Sequence, residues 1–160
     1  MKGNEIGMKE RKKVCLISSS GGHFEQLKML KKLKENHDIY IVTEKTKYAE
    51  ECDYTLLAGN KNKLIYACNL FVNVFYSLKH IIKEKPDVII STGTVVAFPT
   101  ILWAKILGKK VIYIETFARV HGGTKAGRFV YKHNLYDMFI YQWKTLEKEY
   151  PKGVYGGGIY

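Results

Sequence analysis

Cysteine is scarce in this chain of 160 residues: it has three, an odd number, and none of them forms a Cys-x-x-Cys motif. Two of them, Cys15 and Cys68, lie within apolar runs. This usage favours a reduced, cytoplasmic compartment over a disulfide framework. Since no His and Cys residues stand at the close spacing of a metal site, we expect no metal cofactor.

Acidic residues are also few, with 15 Asp and Glu against 26 Lys and Arg and a formal net charge of +11. Such an excess is compatible with nucleic acid, with an anionic membrane surface and with an acidic ligand. A solvated, lysine-rich surface explains it equally well. Because the sequence has no RNP-type strand, zinc finger or basic recognition helix, we expect no nucleic-acid partner.

The sequence has no apolar segment of the kind that forms a secretory signal peptide at its N-terminus. We expect residues 1–12 to form a disordered basic lead-in. The uncharged run at 64–78 is shorter than the roughly 20 residues that a helix needs to cross a bilayer. Any attachment to a membrane is therefore expected to be peripheral.

Strand and helix patterns alternate along the chain, whose length suits one domain. Apolar, β-branched runs predict strands at 14–18, 39–43, 54–57, 87–91, 110–114 and 138–141. Helical spacing predicts helices at 24–35 and 64–82 and a third that ends at Gly108. Strands separated by helices imply right-handed crossovers, so we predict an α/β, Rossmann-like parallel sheet with helices on both faces. The domain spans 13–150, and residues 151–160 form a tail that is a candidate for docking a partner.

Two of these helices are unusually apolar. In the helix at 64–82, Asn69, Asn73, Ser77 and His80 share one side, and the apolar arc on the other side is broader than usual. Internal packing in a small domain and a surface facing a membrane or a partner both explain this pattern. The candidates for such a surface are Phe71, Phe75 and Trp103 in the helices and Tyr155, Ile159 and Tyr160 in the tail.

The turn between the first strand and the first helix reads Ser-Ser-Ser-Gly-Gly-His at residues 18–23. Two glycines permit a sharp turn, and the amides at the start of the helix favour an anion such as a diphosphate. His23 adds a titratable group. The turn lacks the Lys-Ser/Thr ending of a P-loop and the glycine spacing of a dinucleotide fingerprint, so Glu44 only weakly imitates a ribose-binding acid. A turn that merely closes a strand-to-helix connection is the alternative.

Two more predicted strands end in polar residues. Gly93 and Thr94 follow the strand at 87–91, and Glu115 follows the strand at 110–114, with Arg119 four residues further on. Ligands of open α/β sheets bind outside these carboxyl ends, so the turns are expected to meet at one crevice. Two roles explain Glu115 equally well: it is a structural cap or an ion-pair partner of Arg119, or it is a catalytic acid or base. The glycine-rich loop at 121–125 either binds an anion or is a surface loop.

These residues resemble a known group of enzymes. Residues 14–23 resemble the N-terminal glycine loop of GT-B glycosyltransferases that act on polyprenyl-linked acceptors, such as the peptidoglycan transferase that forms lipid II. Residues 86–119, from Pro-Asp-Val-Ile-Ile-Ser-Thr-Gly to Arg119, resemble the segment that holds the acceptor crevice. Over residues 13–160 the chain is similar to the family of asparagine-linked glycosylation protein fourteen and its bacterial capsule and exopolysaccharide relatives.

The resemblance implies that the chain is the N-terminal, acceptor-side half of a two-component inverting glycosyltransferase and is inactive alone. A separate subunit would bind the UDP-sugar, so no cofactor is expected in this chain. The length agrees, because a complete GT-B enzyme needs two domains of this size. The implied acceptor is a sugar on polyprenyl diphosphate, and the implied location is the inner face of the cell membrane.

The resemblance also implies roles for individual residues. His23 or Glu115 would deprotonate the acceptor hydroxyl, and His23 is favoured by its ordinary pKa near 6.5, although it could instead hold phosphate. The residues implied to bind the acceptor or its diphosphate are Ser19, Ser20, Gly21, Gly22, Gly93, Thr94, Thr116, Arg119 and Lys125. Two other functions stay open: a non-catalytic scaffold that recruits the transferase to the membrane, and a free-standing nucleotide-binding domain.

Overall fold

A seven-stranded sheet runs through the computed structural model, which describes residues 10–46 and 51–158. Its order is β3-β2-β1-β4-β5-β6-β7, and every neighbouring pair is parallel. The strands are β1 (Lys13–Ile17), β2 (Asp38–Glu44), β3 (Tyr54–Leu56), β4 (Val88–Ser91), β5 (Lys110–Ile114), β6 (Met138–Tyr141) and β7 (Val154–Tyr155). The predicted Rossmann-like α/β fold is confirmed.

In the described ranges four α-helices connect the strands: α1 (Gly22–Met29), α2 (Lys63–Glu84), α3 (Phe98–Ile106) and α4 (Lys125–Lys132). Short 3₁₀ helices occupy Leu30–Glu35, Val95–Ala97 and Lys144–Leu146. The chain winds from β1 out to β3, returns through α2 to β4 and then winds the other way. Right-handed crossovers consequently put α1 on one face and α2, α3 and α4 on the other. The direction changes between β1 and β4, where open sheets of this kind form a crevice.

The core lies in two layers, one on each face of the sheet, because successive side chains of a strand alternate between faces. Beneath α3 and α4, Tyr113 and Phe139 stack with ring centroids 5.1 Å apart. Beneath α1, Phe24 and Leu27 pack on the alternate residues of β1 and β2. The two layers fix the strand ends that carry the polar turns.

Most element boundaries lie within two residues of the predicted ones, and two differences are larger. The helix predicted at 24–35 ends as α1 at Met29 and continues as the 3₁₀ helix Leu30–Glu35. The tail predicted at 151–160 contributes the short edge strand β7, which pairs with β6. Of the candidate surface residues in the tail, Tyr155 lies in β7, whereas Ile159 and Tyr160 lie outside the described residues. Most of the predicted lead-in, residues 1–9, lies outside them too.

Helix α2 turns its polar side toward the core. Asn73, Ser77 and His80 are each at most 1% exposed. The side chain of Asn73 accepts a hydrogen bond from the amide of Leu57 at 2.7 Å and donates one to its carbonyl at 2.9 Å. The hydroxyl of Thr100 donates to that of Ser77 at 2.9 Å, and His80 lies 3.3 Å from Thr100 Oγ1. These bonds tie α2 to the end of β3 and to α3.

The apolar side of α2 therefore faces outward. Phe71 is 65% exposed and Phe75 is 58% exposed, and their rings pack edge to face with centroids 5.3 Å apart. Trp103 is different: it is half-buried, and its indole N–H donates to the carbonyl of Val74 at 2.9 Å, joining α3 to α2. By length and composition, α2 is the one helix of the described ranges that could cross a membrane. Its inward hydrogen bonds hold it against the sheet.

Candidate functional site

The glycine turn after β1 forms an open cradle. Gly21 has φ +79°, a conformation that favours glycine, and a Cβ atom at Gly21 or Gly22 would meet nothing within 4 Å. The amides of Phe24 and Glu25 donate to the carbonyl of Gly21 at 2.9 and 3.1 Å. The amides of Gly22 and His23 come before this first bonded turn, where a helix leaves its donors free for an anion.

His23 is held by the turn that follows β4. Its Nδ1 lies 2.8 Å from the carbonyl oxygen of Thr92, and the Thr92 hydroxyl donates to the carbonyl of His23 at 2.9 Å. A carbonyl only accepts, so Nδ1 donates this hydrogen bond, and in the neutral tautomer that does so the lone pair is on Nε2. The half-buried ring thus presents a nitrogen that can take up a proton.

Gly93 provides the space that the His23 ring occupies. A Cβ atom at Gly93 would lie 3.3 Å from Cε1 of His23 and 3.4 Å from the hydroxyl oxygen of Tyr113, and φ is +107°. The next residue, Thr94, has φ +89°, which costs energy in a non-glycine residue. Among the described residues of this turn, the buried hydroxyl of Thr94 has no hydrogen-bond partner. Burial raises the pKa of Tyr113. A buried hydroxyl without a partner is rare and marks this turn as a candidate for ligand binding.

Glu115 is fully buried, and both of its carboxylate oxygens accept hydrogen bonds. One accepts from the amide of Thr116 at 3.0 Å and the hydroxyl of Thr124 at 2.9 Å. The other accepts from the amide of Thr124 at 3.1 Å and the hydroxyl of Tyr150 at 2.7 Å. Burial, followed by the nearby Glu115, raises the pKa of Tyr150. Glu115 thus fastens the start of α4 and the segment after β6 to the end of β5, instead of pairing with Arg119.

Thr116 connects this strand end to α1. Its hydroxyl accepts from the side-chain Nε2 of Gln26 at 3.2 Å, and the side-chain Oε1 of Gln26 accepts from the backbone amide of Phe117 at 3.4 Å. Gln26 is 4% exposed and was missed at the sequence level. The one feature of the sequence that could have indicated its role is a polar side chain between Phe24 and Leu27 on the apolar side of the helix.

The two serines of the turn differ in their partners. The hydroxyl of Ser20 donates to Glu44 at 3.2 Å, which brings the carboxylate at the end of β2 to the glycine turn. Ser19 is half-buried, and its carbonyl accepts from the hydroxyl of Ser18 at 3.0 Å. Both serines therefore lie at the carboxyl end of β1, beside His23.

Arg119 and Lys125 are exposed in the loop region after β5. Lys125 begins α4, whose N-cap Thr124 accepts from the amide of Gly127 at 2.9 Å. Arg128 pairs with Glu149, whereas neither Arg119 nor Lys125 forms an ion pair within the described ranges. These two cations are available to an anionic ligand. No group of three or more His, Cys, Asp or Glu side chains in the described part of the chain could hold a metal ion.

Comparison with known sequences gives a consistent result. The family model described as "Oligosaccharide biosynthesis protein Alg14 like" matches residues 60–159. A mouse protein named UDP-N-acetylglucosamine transferase subunit ALG14 is 36% identical over 95 residues, which cover 56% of this chain and 43% of the mouse protein. The Candida albicans protein of the same name is 28% identical over 94% of this chain and 82% of its own length. The match thus spans less than half of the mouse relative.

Solved structures share the fold. The MurG protein of Acinetobacter baumannii superposes with a TM-score of 0.65 at 14% identity, covering 84% of this chain and 42% of MurG. The UDP-GlcNAc 2-epimerase of Methanocaldococcus jannaschii gives a TM-score of 0.67 at 16% identity, covering 88% of this chain and 42% of the epimerase. In both cases this chain corresponds to less than half of a larger protein.

Proposed function

Because the chain belongs to the Alg14-like family of oligosaccharide biosynthesis proteins, we propose that it is the acceptor-binding subunit of a two-component inverting glycosyltransferase. The complex would transfer a sugar from a UDP-sugar to an acceptor on polyprenyl diphosphate. Two findings support this proposal: the relatives are named as transferase subunits, and the chain covers 42% of MurG. A second subunit would hold the UDP-sugar, and this chain would be inactive alone.

The observation that carries the proposal is the meeting of the glycine turn with the turn after β4 at His23. The amides of Gly22 and His23 bind the acceptor diphosphate. Nε2 of His23 takes the proton of the acceptor hydroxyl as its oxygen attacks the anomeric carbon of the donor sugar. The bond from that carbon to UDP breaks, UDP departs with the bonding electrons, and the anomeric configuration inverts.

The other residues of the site position the strand ends and loops around the acceptor or neutralise the charge of its diphosphate. Glu115, with both oxygens engaged, acts as a positioning residue that holds α4 and the loop before it. Thr116 fixes the same strand end to α1. Arg119 and Lys125 bring positive charge to the diphosphate, as does the partial charge at the start of α1.

The outward side of α2 supports peripheral attachment to an anionic membrane. Between residues 54 and 114 the chain has eight lysines and two acidic residues, Glu84 and Asp87. Glu84 pairs with Lys13 at 2.6 Å, and Asp87 accepts from the Lys13 amide at 2.8 Å. Lys105 and Lys110 pair with Asp137. The remaining lysines, together with the exposed aromatic side chains, match an interfacial helix on the cytoplasmic face of the cell membrane. The resemblance to capsule and exopolysaccharide proteins supports placing the reaction in surface polysaccharide assembly.

An apolar row on the α1 side of the sheet supports a docking surface for the donor subunit. Met138 is 45% exposed and Val154 is 52% exposed. Ile112 pairs with Met138 and Ile140 pairs with Val154, so all four side chains point to the same face. The tail strand β7, with Tyr155, lies at this edge.

Reconstitution of the chain with its donor subunit on a lipid-linked acceptor tests the proposed function. We expect His23→Ala to lower the transfer rate by about 10²–10⁴-fold, the usual contribution of a general base. His37→Ala is the matched control, since His37 precedes β2 at the opposite end of the sheet. Co-purification shows whether the complex stays intact. A wild-type rate from an intact His23→Ala complex would leave the chain as a scaffold.

A further inference from the structure

A hydrophobic groove of about 400 Å³ lies between α2, α3 and α4. Its walls include Leu70 and Val74 of α2, Phe98 and Leu102 of α3, Phe129 of α4 and Leu135 just beyond it. Phe98 and Phe129 stack with ring centroids 5.1 Å apart. The imidazole of His133, packed on Phe129, is the one hydrogen-bonding side chain among the described residues that line the groove.

The chemistry of this lining selects its occupant. Sites for polar small molecules combine apolar walls with several placed donors and acceptors, which this groove lacks. A sugar or a nucleotide placed there would lose its hydrogen bonds to water without replacement. A hydrocarbon chain has no such loss and gains from burial.

The groove extends from the first turn of α3, close in sequence to the turn after β4, to the outward side of α2. Phe98 and Pro99 line the groove from the first turn of α3, four residues after Thr94 and at the crevice end of the sheet. Phe129, His133 and Leu135 line it from the later part of α4 and beyond. On its far side the groove reaches Leu70 and Val74, each directly followed in sequence by an exposed phenylalanine. A chain that leaves the crevice through this groove would emerge on the exposed apolar side of α2.

We propose that the groove binds the isoprenoid chain of a polyprenyl-diphosphate acceptor, with its first prenyl units between α3 and α4. The inference rests on the proposed function, from which the acceptor is taken. The diphosphate then lies at the glycine turn, and the rest of the chain passes over α2 into the bilayer. The groove thereby places the reacting sugar at a fixed distance from the membrane.

Calorimetry on the full chain with water-soluble probes tests this binding. We use inorganic diphosphate, geranyl diphosphate and farnesyl diphosphate, which carry the same charged group on none, two and three prenyl units. Each buried methylene contributes about fourfold in affinity. We therefore expect farnesyl diphosphate to bind at least about tenfold more tightly than geranyl diphosphate, and geranyl diphosphate more tightly than the inorganic ion. Equal affinities for all three probes would overturn the proposal.

Two variants separate the groove from general surface adsorption. Leu102→Gln changes a groove residue that is 48% exposed, and Phe71→Gln changes a residue outside the groove that is 65% exposed. We expect Leu102→Gln to lose about tenfold in affinity for farnesyl diphosphate and nothing for inorganic diphosphate, and Phe71→Gln to keep both. Thermal melting verifies that both fold. An equal loss in the two variants contradicts a specific groove.

Two further measurements complete the test. A diazirine on the last prenyl unit of farnesyl diphosphate should label peptides from α3 (Phe98–Ile106) or α4 (Lys125–Lys132). This measurement uses the unaltered chain, so it does not depend on whether a variant folds. If the donor subunit displaces farnesyl diphosphate, the groove is a docking site for that subunit and the proposal is wrong. If the binding series holds but the complex transfers no sugar, the groove stands as a lipid site and the proposed function fails separately.

Discussion

Replacing Gly93 by alanine tests whether the position of His23 governs the reaction. The added Cβ would lie 3.3 Å from Cε1 and 3.4 Å from Nδ1 of His23, closer than most such contacts, so the ring must move by a few tenths of an ångström. The φ of +107° is also unfavourable for alanine. The strain costs about 1–3 kcal/mol of unfolding free energy. Since a 1 Å misplacement costs about 10²-fold in rate, we expect kcat to fall by about tenfold.

Two glycine controls separate the causes. Gly108→Ala places alanine at φ +68° after α3, where nothing lies within 4 Å, so it should lose about 1–2 kcal/mol of stability and keep its rate. Gly22→Ala has no positive φ and no close neighbour, so it should keep its stability, but its methyl group enters the space proposed for the diphosphate and should weaken binding of the acceptor. Urea titration measures the stabilities, and initial rates of the reconstituted complex measure kcat. A Gly93→Ala complex that loses stability but keeps the wild-type kcat would refute the proposed role of His23.

Two other predictions concern the membrane and acid stability. The double variant Phe71→Glu, Phe75→Glu should bind anionic liposomes at least about tenfold more weakly in flotation, because two apolar side chains leave the interface. The control Met29→Glu, which changes an exposed residue of α1, should bind normally. Flotation of the double variant at the wild-type level would exclude α2 as the contact. Burial lowers the pKa of His80 from 6.5 to about 4. As the pH falls, His80 is therefore protonated in the unfolded chain before it is protonated in the folded chain. The free energy of unfolding should consequently drop by about 3 kcal/mol between pH 7 and pH 4. His80→Leu should flatten the part of this decline between pH 6.5 and 4.5; an unchanged slope there would contradict it.

The sequence was sufficient to predict six strands of the sheet, because each apolar run forms a strand, and the central strands β1, β2 and β4 are buried on both faces. It was insufficient for β7, whose two residues stand beside glycines and show no periodicity. It was also insufficient for the orientation of α2. A rule that buries the apolar side fails there, because Asn73 finds partners in the backbone of Leu57, which only the fold brings near.

The candidate site was predicted in part. The glycine turn and the turn after β4 were expected to share a crevice, and the structure brings them together at His23. The role of Glu115 could not be decided from spacing, since its partners Thr124 and Tyr150 lie 9 and 35 residues away. The catalytic and acceptor-binding roles stay predictions until the variants are assayed.

Helix α2 buries its polar side and exposes its apolar side, and this packing has a thermodynamic consequence. The heat capacity of unfolding, ordinarily about 12–15 cal/mol/K per residue, comes mainly from apolar surface that is newly hydrated. The exposed side of α2, including Phe71, Phe75 and Ile82, is hydrated already in the folded chain and adds little to that change. The stability curve of the free chain in water should therefore be flatter than its length suggests. Contact with a lipid surface would dehydrate this side of the helix and couple the chain's stability to that surface.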